Sequence, residues 1–65
     1  EPVNVNLVSA EVLADSLAGV GLAKAYRIIE YREAREPFER IDDLAVVRGT
    51  GQVTVEKNRD VILLQ

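Results

Sequence analysis

The spacing of apolar residues divides the chain into short helical segments preceded by one alternating segment. Residues 2–8 alternate apolar and polar side chains, which is the pattern of a strand. No second strand pattern is available to pair with it, so we expect an extended arm over residues 1–8 that lies across the helices. Ser9 is a favourable N-cap and Glu11 falls in the first turn, where the helix dipole favours a carboxylate. A first helix is therefore predicted from residue 10 to residue 17.

A wider apolar stripe begins at residue 22 and predicts the longest helix, which runs to about Arg35. The stripe consists of Leu22, Ala25, Ile28 and Ile29. Because the residue before a proline avoids the helical conformation, Pro37 is expected to stop this helix. Charged residues of both signs fall mostly outside the stripe, where weak ion pairs on a solvated face are expected. The expected pairs join Arg27, Arg32 and Arg35 to Glu30, Glu33 and Glu36.

A second unit with a similar pattern covers residues 38–64. A helix is predicted to start near Ile41, a further helix to span residues 52–58, and a last helical or irregular stretch to cover residues 60–64. With residues 9–35 as the first unit, this gives five short helices in an all-α domain. Neither unit can bury its apolar face alone, so the two units are expected to pack as a pseudo-twofold pair.

Each unit contains one Gly-x-Gly sequence between two helical patterns. These are Gly19-Val20-Gly21 and Gly49-Thr50-Gly51, which lie 30 residues apart. Glycine tolerates positive φ and has no Cβ, so the backbone can turn sharply and approach a ligand closely. The helix after each turn begins with unpaired N–H groups and the positive end of its dipole. The pattern predicts two small sites for phosphate; the alternative is that the glycines only end the preceding helices.

The composition limits the classes of function. Sixty-five residues make one domain, residues 1–65. The chain has no Cys and no His, which excludes a disulfide framework, a zinc site of the usual ligands and a His or Cys catalytic centre; no cofactor or metal is expected. The chain begins at Glu1 with no Met and no signal peptide, so we expect it to be a piece of something longer.

The net charge of −3 argues against nonspecific attraction to nucleic acid, but the acidic excess is unevenly placed. Residues 1–16 carry three acids and no base, whereas residues 44–65 carry three bases and two acids. Helices of about eight residues would separate the acids at their starts from the hairpins by roughly 12 Å. Because this exceeds a Debye length of about 8 Å, those acids, Glu11, Asp42 and Asp43, are expected to be largely screened. Asp15 lies one turn before Gly19 and is expected to weaken anion binding.

An ordered set of stretches resembles the double helix-hairpin-helix domain, and specifically the DNA-receptor domain of ComEA-type competence proteins. These stretches span nearly the whole chain and are Val3-Asn4-Val5-Asn6, Ser9-Ala10-Glu11, Gly19-Val20-Gly21, Lys24-Ala25, Ile28-Ile29-Glu30-Tyr31-Arg32, Pro37-Phe38, Asp43-Leu44, Gly49-Thr50-Gly51 and Thr54-Val55-Glu56-Lys57-Asn58-Arg59-Asp60. A single Gly-x-Gly sequence is a weak signal, but the ordered set is a strong one.

The resemblance implies non-sequence-specific binding of double-stranded DNA, in DNA uptake. We expect only two to four phosphate contacts, so this binding is expected to be weak. In that family the hairpin amides contact phosphates of opposite strands across a minor groove, and such contacts position a protein without reading bases. It also implies a periplasmic or membrane-anchored location outside the cytoplasmic membrane. Carried over by position, the DNA contacts are the backbone of Gly19, Val20, Gly21, Gly49, Thr50 and Gly51, the side chains of Lys24, Thr54 and Lys57, and Arg48 beside the second turn.

The sequence departs from the family pattern at the second hairpin. Thr50 stands where an aliphatic anchor is usual and Val53 stands where a Lys is common, so this hairpin is expected to be less firmly anchored and one positive charge poorer. With the net charge, these departures favour an alternative, a structural or protein-interaction module with weak or no DNA binding. A third hypothesis is a glycosylase-type enzyme, but nothing in the sequence would activate Lys24 as a nucleophile, and no catalytic residue is expected.

Overall fold

The computed structural model describes residues 2–35 and 37–64. Within those residues, three α-helices, two 3-10 segments and one pair of short strands enclose a single core. In chain order they are β1 (Val3–Asn4), α1 (Ala10–Ser16), α2 (Leu22–Ala34), a first 3-10 segment (Ile41–Val46), α3 (Gln52–Asn58), a second 3-10 segment (Arg59–Val61) and β2 (Ile62–Leu63). The domain is mostly helical, in keeping with the all-α prediction, but it also contains the strand pair. Five helices in a pseudo-twofold pair stay a prediction.

The N-terminal segment has a partner, contrary to the expected unpartnered arm. Strand β1 pairs in parallel with β2, so that Val3 lies opposite Ile62 and Asn4 opposite Leu63. The chain then turns, because the N–H groups of the next turn, at Leu7 and Val8, donate to the carbonyl of Asn4 at 3.1 and 3.2 Å. The expectation of an extended arm as far as residue 8 is therefore wrong, and so is a helical or irregular reading of residues 62–63.

The core lies between the helix pairs, with α1 packed on α2 and the first 3-10 segment packed on α3. Its largest fully buried side chains come from five different segments: Val5, Leu13, Ile28, Leu44 and Val55. Burial of such aliphatic side chains is the main stabilising term in a domain of this size. No helix among the described residues has both the length and the apolar character needed to cross a membrane.

A side-chain amide fixes the N-terminal turn to the link between the two units. The Oδ1 atom of Asn6 accepts from the N–H of Phe38 at 2.8 Å, and its Nδ2 donates to the Phe38 carbonyl at 3.0 Å. Phe38 is buried and its ring stacks on Tyr31, with 5.3 Å between the ring centroids. Phe38 thus joins the two halves of the molecule.

Among the described residues, no ion pair joins Glu30 or Glu33 to the arginines of α2 or to its C-cap Arg35, contrary to the expectation from the sequence. Arg32 donates from Nη1 to the carbonyl of Val5 at 2.7 Å, and the Arg35 guanidinium lies 4.9 Å from the centroid of the Tyr31 ring. Every salt bridge in residues 2–35 and 37–64 involves Arg59 instead. The expected partner Glu36 lies outside the described residues. Backbone and aromatic neighbours are available to these side chains, and exposed ion pairs contribute too little to compete with them.

Candidate nucleic-acid interface

The two Gly-x-Gly sequences form hairpins with the same backbone design, and we call residues 17–21 the first hairpin and residues 47–51 the second hairpin. In the first hairpin, Gly19 has a φ of +79°. The N–H of Val20 donates across the turn to the carbonyl of Leu17 at 3.3 Å. A positive φ at the third residue of a hydrogen-bonded four-residue turn is typical of a type II turn, which favours glycine there.

The second hairpin repeats this geometry. Gly49 has a φ of +91°, and the N–H of Thr50 donates to the carbonyl of Val47 at 2.9 Å. The side chains of Val47 and Thr50 are buried in the core, as are their counterparts in the first hairpin. Each hairpin is therefore held by two inward-pointing side chains while its glycines remain exposed.

The second glycine of each hairpin begins the following helix without a side-chain cap. Gly21 and Gly51 have extended backbone, with φ of −84° and −99°. Their carbonyls accept the first helical hydrogen bonds, from Ala25 at 2.9 Å and from Val55 at 3.1 Å. The N–H groups of the intervening three residues have no acceptor within their own helix. Each hairpin therefore presents exposed glycines next to backbone donors that point away from the helix.

The backbone positions predicted as contacts fall into two groups. The N–H groups of Val20 and Thr50 already donate within their turns, and both side chains are buried, at 4% and 5% exposure. These two residues therefore anchor the hairpins and cannot offer their amides to a phosphate without losing the turn hydrogen bond. The exposed positions of the predicted set are Gly19, Gly21, Gly49 and Gly51.

Of the two equivalent anchoring residues, Val20 in the first hairpin and Thr50 in the second, Thr50 stabilises its hairpin less. Its hydroxyl is buried and has no hydrogen-bond partner within the described residues. It lines a cavity of about 10 Å³, which also touches Val20 and has room for one water at most. A buried hydroxyl without a partner costs stability, so the substitution of a polar for an aliphatic anchor carries a penalty at this hairpin.

Basic side chains from both units meet at the second hairpin. A β-carbon placed on Gly49 would lie 2.8 Å from Nη1 of Arg27, and 3.4 and 3.7 Å from Cγ and Cε of Lys24. Arg27 and Arg48 line one shallow groove together with Val47. Lys24 follows the first hairpin in sequence but lies against the second one in space. Arg27 belongs to the same cluster, although sequence reasoning assigned it to a solvated ion pair.

The two remaining predicted side chains lie on α3. Thr54 is half-buried and lines the interior cavity beside Thr50. Its carbonyl accepts a hydrogen bond from the side-chain amide of Asn58 at 2.8 Å. Lys57 is exposed in the last turn of the helix. Lys57 is therefore accessible to a ligand, whereas Thr54 faces partly inward.

Asn58 holds the first hairpin in place, a role that its position in the sequence did not reveal. Its Oδ1 accepts from the N–H of Ala18 at 2.7 Å, and its Nδ2 donates to the carbonyls of Ala18 at 2.9 Å and Thr54 at 2.8 Å. Asn58 is only 4% exposed, and these three hydrogen bonds satisfy its amide in the core. The residue before Gly19 is thus fixed by a side chain from the other unit. The available signal was spacing, because Asn58 follows Val55 by three residues and therefore shares its inward face of the helix.

An ion-pair network flanks the second hairpin. Arg59 pairs with both Asp42 and Glu56, and the side-chain amide of Gln52 donates to the same two carboxylates at 3.4 and 3.0 Å. Hydrogen bonds from Arg59 and then Gln52 hold the pKa of each carboxyl below its ordinary value. The carboxylate of Asp42, which was expected to be largely screened from the hairpin, thus contacts the side chain of the residue that follows Gly51. Its charge is offset by the adjacent guanidinium of Arg59.

Comparison with known proteins gives consistent matches over nearly the whole chain. A protein of Haemophilus influenzae, described as uncharacterized, is 40% identical over 63 residues, which cover 97% of this chain and 56% of that protein. ComE operon protein 1 of Bacillus subtilis is 38% identical over 63 residues, 97% of this chain and 30% of that protein. Endonuclease/exonuclease/phosphatase family domain-containing protein 1 of Homo sapiens is 40% identical over 57 residues, 88% of this chain and 10% of that protein. The chain thus spans about half or less of these relatives.

The family assignment follows from the extent of one further match. The family described as helix-hairpin-helix motif covers residues 1–63, which include both hairpins and both strands. The resemblance to the ComEA-type double helix-hairpin-helix domain is confirmed by this match together with the similarity to the Bacillus subtilis protein. The chain therefore belongs to the helix-hairpin-helix family.

Proposed function

We propose that this domain binds double-stranded DNA without reading its sequence, through phosphate contacts at the two hairpins. The observation that carries the proposal is the repeated geometry of the two turns. In each turn, exposed glycines lie beside helix-start N–H groups that have no acceptor within their own helix. Such donors bind anions, and phosphate contacts supply most of the affinity of nonspecific DNA binding. The similarity to ComE operon protein 1 supports a role in DNA uptake during competence.

The distribution of charge is compatible with this function despite the net charge of −3. Lys24, Arg27 and Arg48 gather at the second hairpin beside one carboxylate, that of Glu30. The carboxylates of Asp42 and Glu56 at its flank are paired with Arg59. An approaching phosphate would therefore meet local positive charge, although the whole domain is acidic. The effect is short-ranged, since charges beyond a Debye length of about 8 Å are screened at physiological salt.

Duplex titration at two salt concentrations tests the proposal. Two to four phosphate contacts at a slope of roughly −0.9 each predict an affinity loss of about 10- to 150-fold between 50 and 200 mM salt. The dissociation constant at physiological salt is expected in the range of about 10⁻⁴ to 10⁻⁶ M. Two duplexes of equal length and unrelated sequence should bind equally. Absence of binding at 50 mM salt and high protein concentration would remove the proposal.

A second candidate function is a protein-interaction module that keeps the fold. It is favoured by apolar side chains exposed around the hairpins, with Leu22 49%, Val46 66% and Val53 71% exposed. Amide chemical shifts separate the two functions. DNA should perturb residues 19–24 and 49–57, whereas a protein partner that uses the apolar side chains should perturb a patch extending to Val46 in the absence of DNA.

The domain is proposed to act by binding and not by catalysis. The human relative whose name includes endonuclease and exonuclease is matched over only 10% of its length, so its name carries no activity to this chain. A Lys nucleophile on a sugar carbon would leave a covalent adduct after borohydride treatment of an abasic duplex, and no adduct is expected. A location outside the cytoplasmic membrane, periplasmic or membrane-anchored, is part of the same proposal, and localisation of the full-length protein tests it.

A further inference from the structure

Arg27 lies on the second hairpin, although it belongs to the helix that follows the first one. Its Nη1 is 2.8 Å from the place where a β-carbon of residue 49 would be. The missing side chain of Gly49 therefore makes the room that the guanidinium occupies. Any residue other than glycine would both displace Arg27 and have to adopt the left-handed backbone of this turn, with φ at +91°.

The internal repeat gives Arg27 a counterpart. Arg27 follows Gly21 by six residues, and Lys57 follows Gly51 by six residues. Both side chains are exposed, so the same position of the two units presents a cation to solvent. This correspondence is independent of the contact between Arg27 and Gly49.

The surroundings of Arg27 favour an anion. Arg27 and Arg48 line a groove that also contains one carboxylate, that of Glu30, and the chain of Lys24 runs beside Gly49. In residues 2–35 and 37–64 the salt bridges involve none of the three cations. The cluster therefore carries more positive than negative charge at an exposed backbone turn.

We propose that the second hairpin binds its phosphate through both units, with the guanidinium of Arg27 reaching over Gly49 to contact the phosphate and Lys24 adding charge beside it. This inference rests on the proposed function. It also compensates for the positive charge that is missing at Val53, because α2 supplies a cation near the second hairpin where the start of α3 has none. A guanidinium suits this role because its planar fork makes charge-assisted hydrogen bonds to phosphate oxygens.

Matched charge removals test the proposal. Arg27→Gln should weaken duplex binding about tenfold at 50 mM salt, or about 1.4 kcal/mol, and lower the salt slope by about 0.9. Arg35→Gln is the control, because it removes the same charge from the C-cap of the same helix, at a side chain that lies over Tyr31. Thermal unfolding of both variants shows that each is folded. Equal affinity and equal salt slope for the two variants, with wild-type protein binding normally, would overturn the inference and leave the proposed function intact.

A double-mutant cycle assigns Arg27 to a hairpin. Gly51→Asp and Gly21→Asp each place a carboxylate at one hairpin, where the backbone is extended and nothing lies within 4 Å of a new β-carbon. Arg27→Gln should lose most of its effect in the Gly51→Asp background and keep it in the Gly21→Asp background. The reverse dependence would overturn the assignment to the second hairpin. A wild-type protein that binds no duplex would refute the proposed function and this inference together.

Discussion

Gly21→Asp separates the binding role of the first hairpin from its structural role. Residue 21 is extended, with φ of −84° and ψ of −179°, and a β-carbon there would have no heavy atom within 4 Å. It is also the N-cap of α2 and has no side-chain cap of its own. Aspartate is a preferred N-cap and its charge suits a helix start. Loss of glycine also reduces the entropy of the unfolded chain, so the free energy of unfolding should rise by about 0.5–1 kcal/mol.

The same carboxylate should oppose a bound phosphate. At about 5 Å, with an effective dielectric constant between about 20 and 80, two like charges repel by about 1–3 kcal/mol. This corresponds to a roughly 5- to 150-fold loss of affinity. Fluorescence anisotropy of a labelled duplex at 50 mM salt measures the loss, and thermal unfolding measures the stability of the same variant.

Gly21→Asn is the control because asparagine has nearly the same size and N-cap preference but no charge. It should weaken binding less than Gly21→Asp does, with the difference shrinking as salt is raised. An Asp variant that is stable and binds duplex as tightly as wild type would refute the phosphate contact at this hairpin. Equal losses for Asp and Asn would show instead that occupied N–H donors, and not charge, explain the effect.

Two further predictions concern stability and the placement of the hairpins. Thr50→Val removes the unpartnered hydroxyl at nearly constant shape and should raise the free energy of unfolding by about 1 kcal/mol, or the melting temperature by about 4–8 °C. The control is Val20→Thr at the equivalent position, which should lower the melting temperature. A lower melting temperature for Thr50→Val would contradict the burial argument. Asn58→Ala leaves the N–H and carbonyl of Ala18 unpartnered, so it should lower the free energy of unfolding by about 2–4 kcal/mol and also weaken duplex binding. Asn6→Ala removes similar hydrogen bonds away from the hairpins and should lower stability only. Equal binding losses, in conditions where both variants are folded, would contradict the role of Asn58.

The turns could be predicted from the sequence because their determinants are local. Gly19 and Gly49 have the positive φ that the glycine pattern indicated, and the helices after the hairpins begin at residues 22 and 52 as expected. Local spacing was less reliable for burial. Leu22 was assigned to the apolar stripe but is 49% exposed, because the first turn of α2 lies at the surface and burial begins only at Ala25.

The missed features are non-local. The β1–β2 pair joins the two ends of the chain, so two-residue strands could not be recognised until both ends were seen together. The contact of Arg27 with Gly49 and the clamp of Asn58 on Ala18 each join one unit to the other. The sequence pattern shows which face of a helix carries each side chain. The packing of the two units against each other determines which residues those side chains contact.

The parallel pairing of β1 with β2 has a mechanical consequence. The strands run in the same direction, so the chain enters the pair at one end of the ladder and leaves it at the other. A tensile load on the two chain ends would act along the strands in shear, and the ladder bonds, including the one from Val5 N–H to the Leu63 carbonyl at 3.2 Å, would share it instead of opening one at a time. A domain held in this way can transmit a pull along its length while its hairpins stay docked.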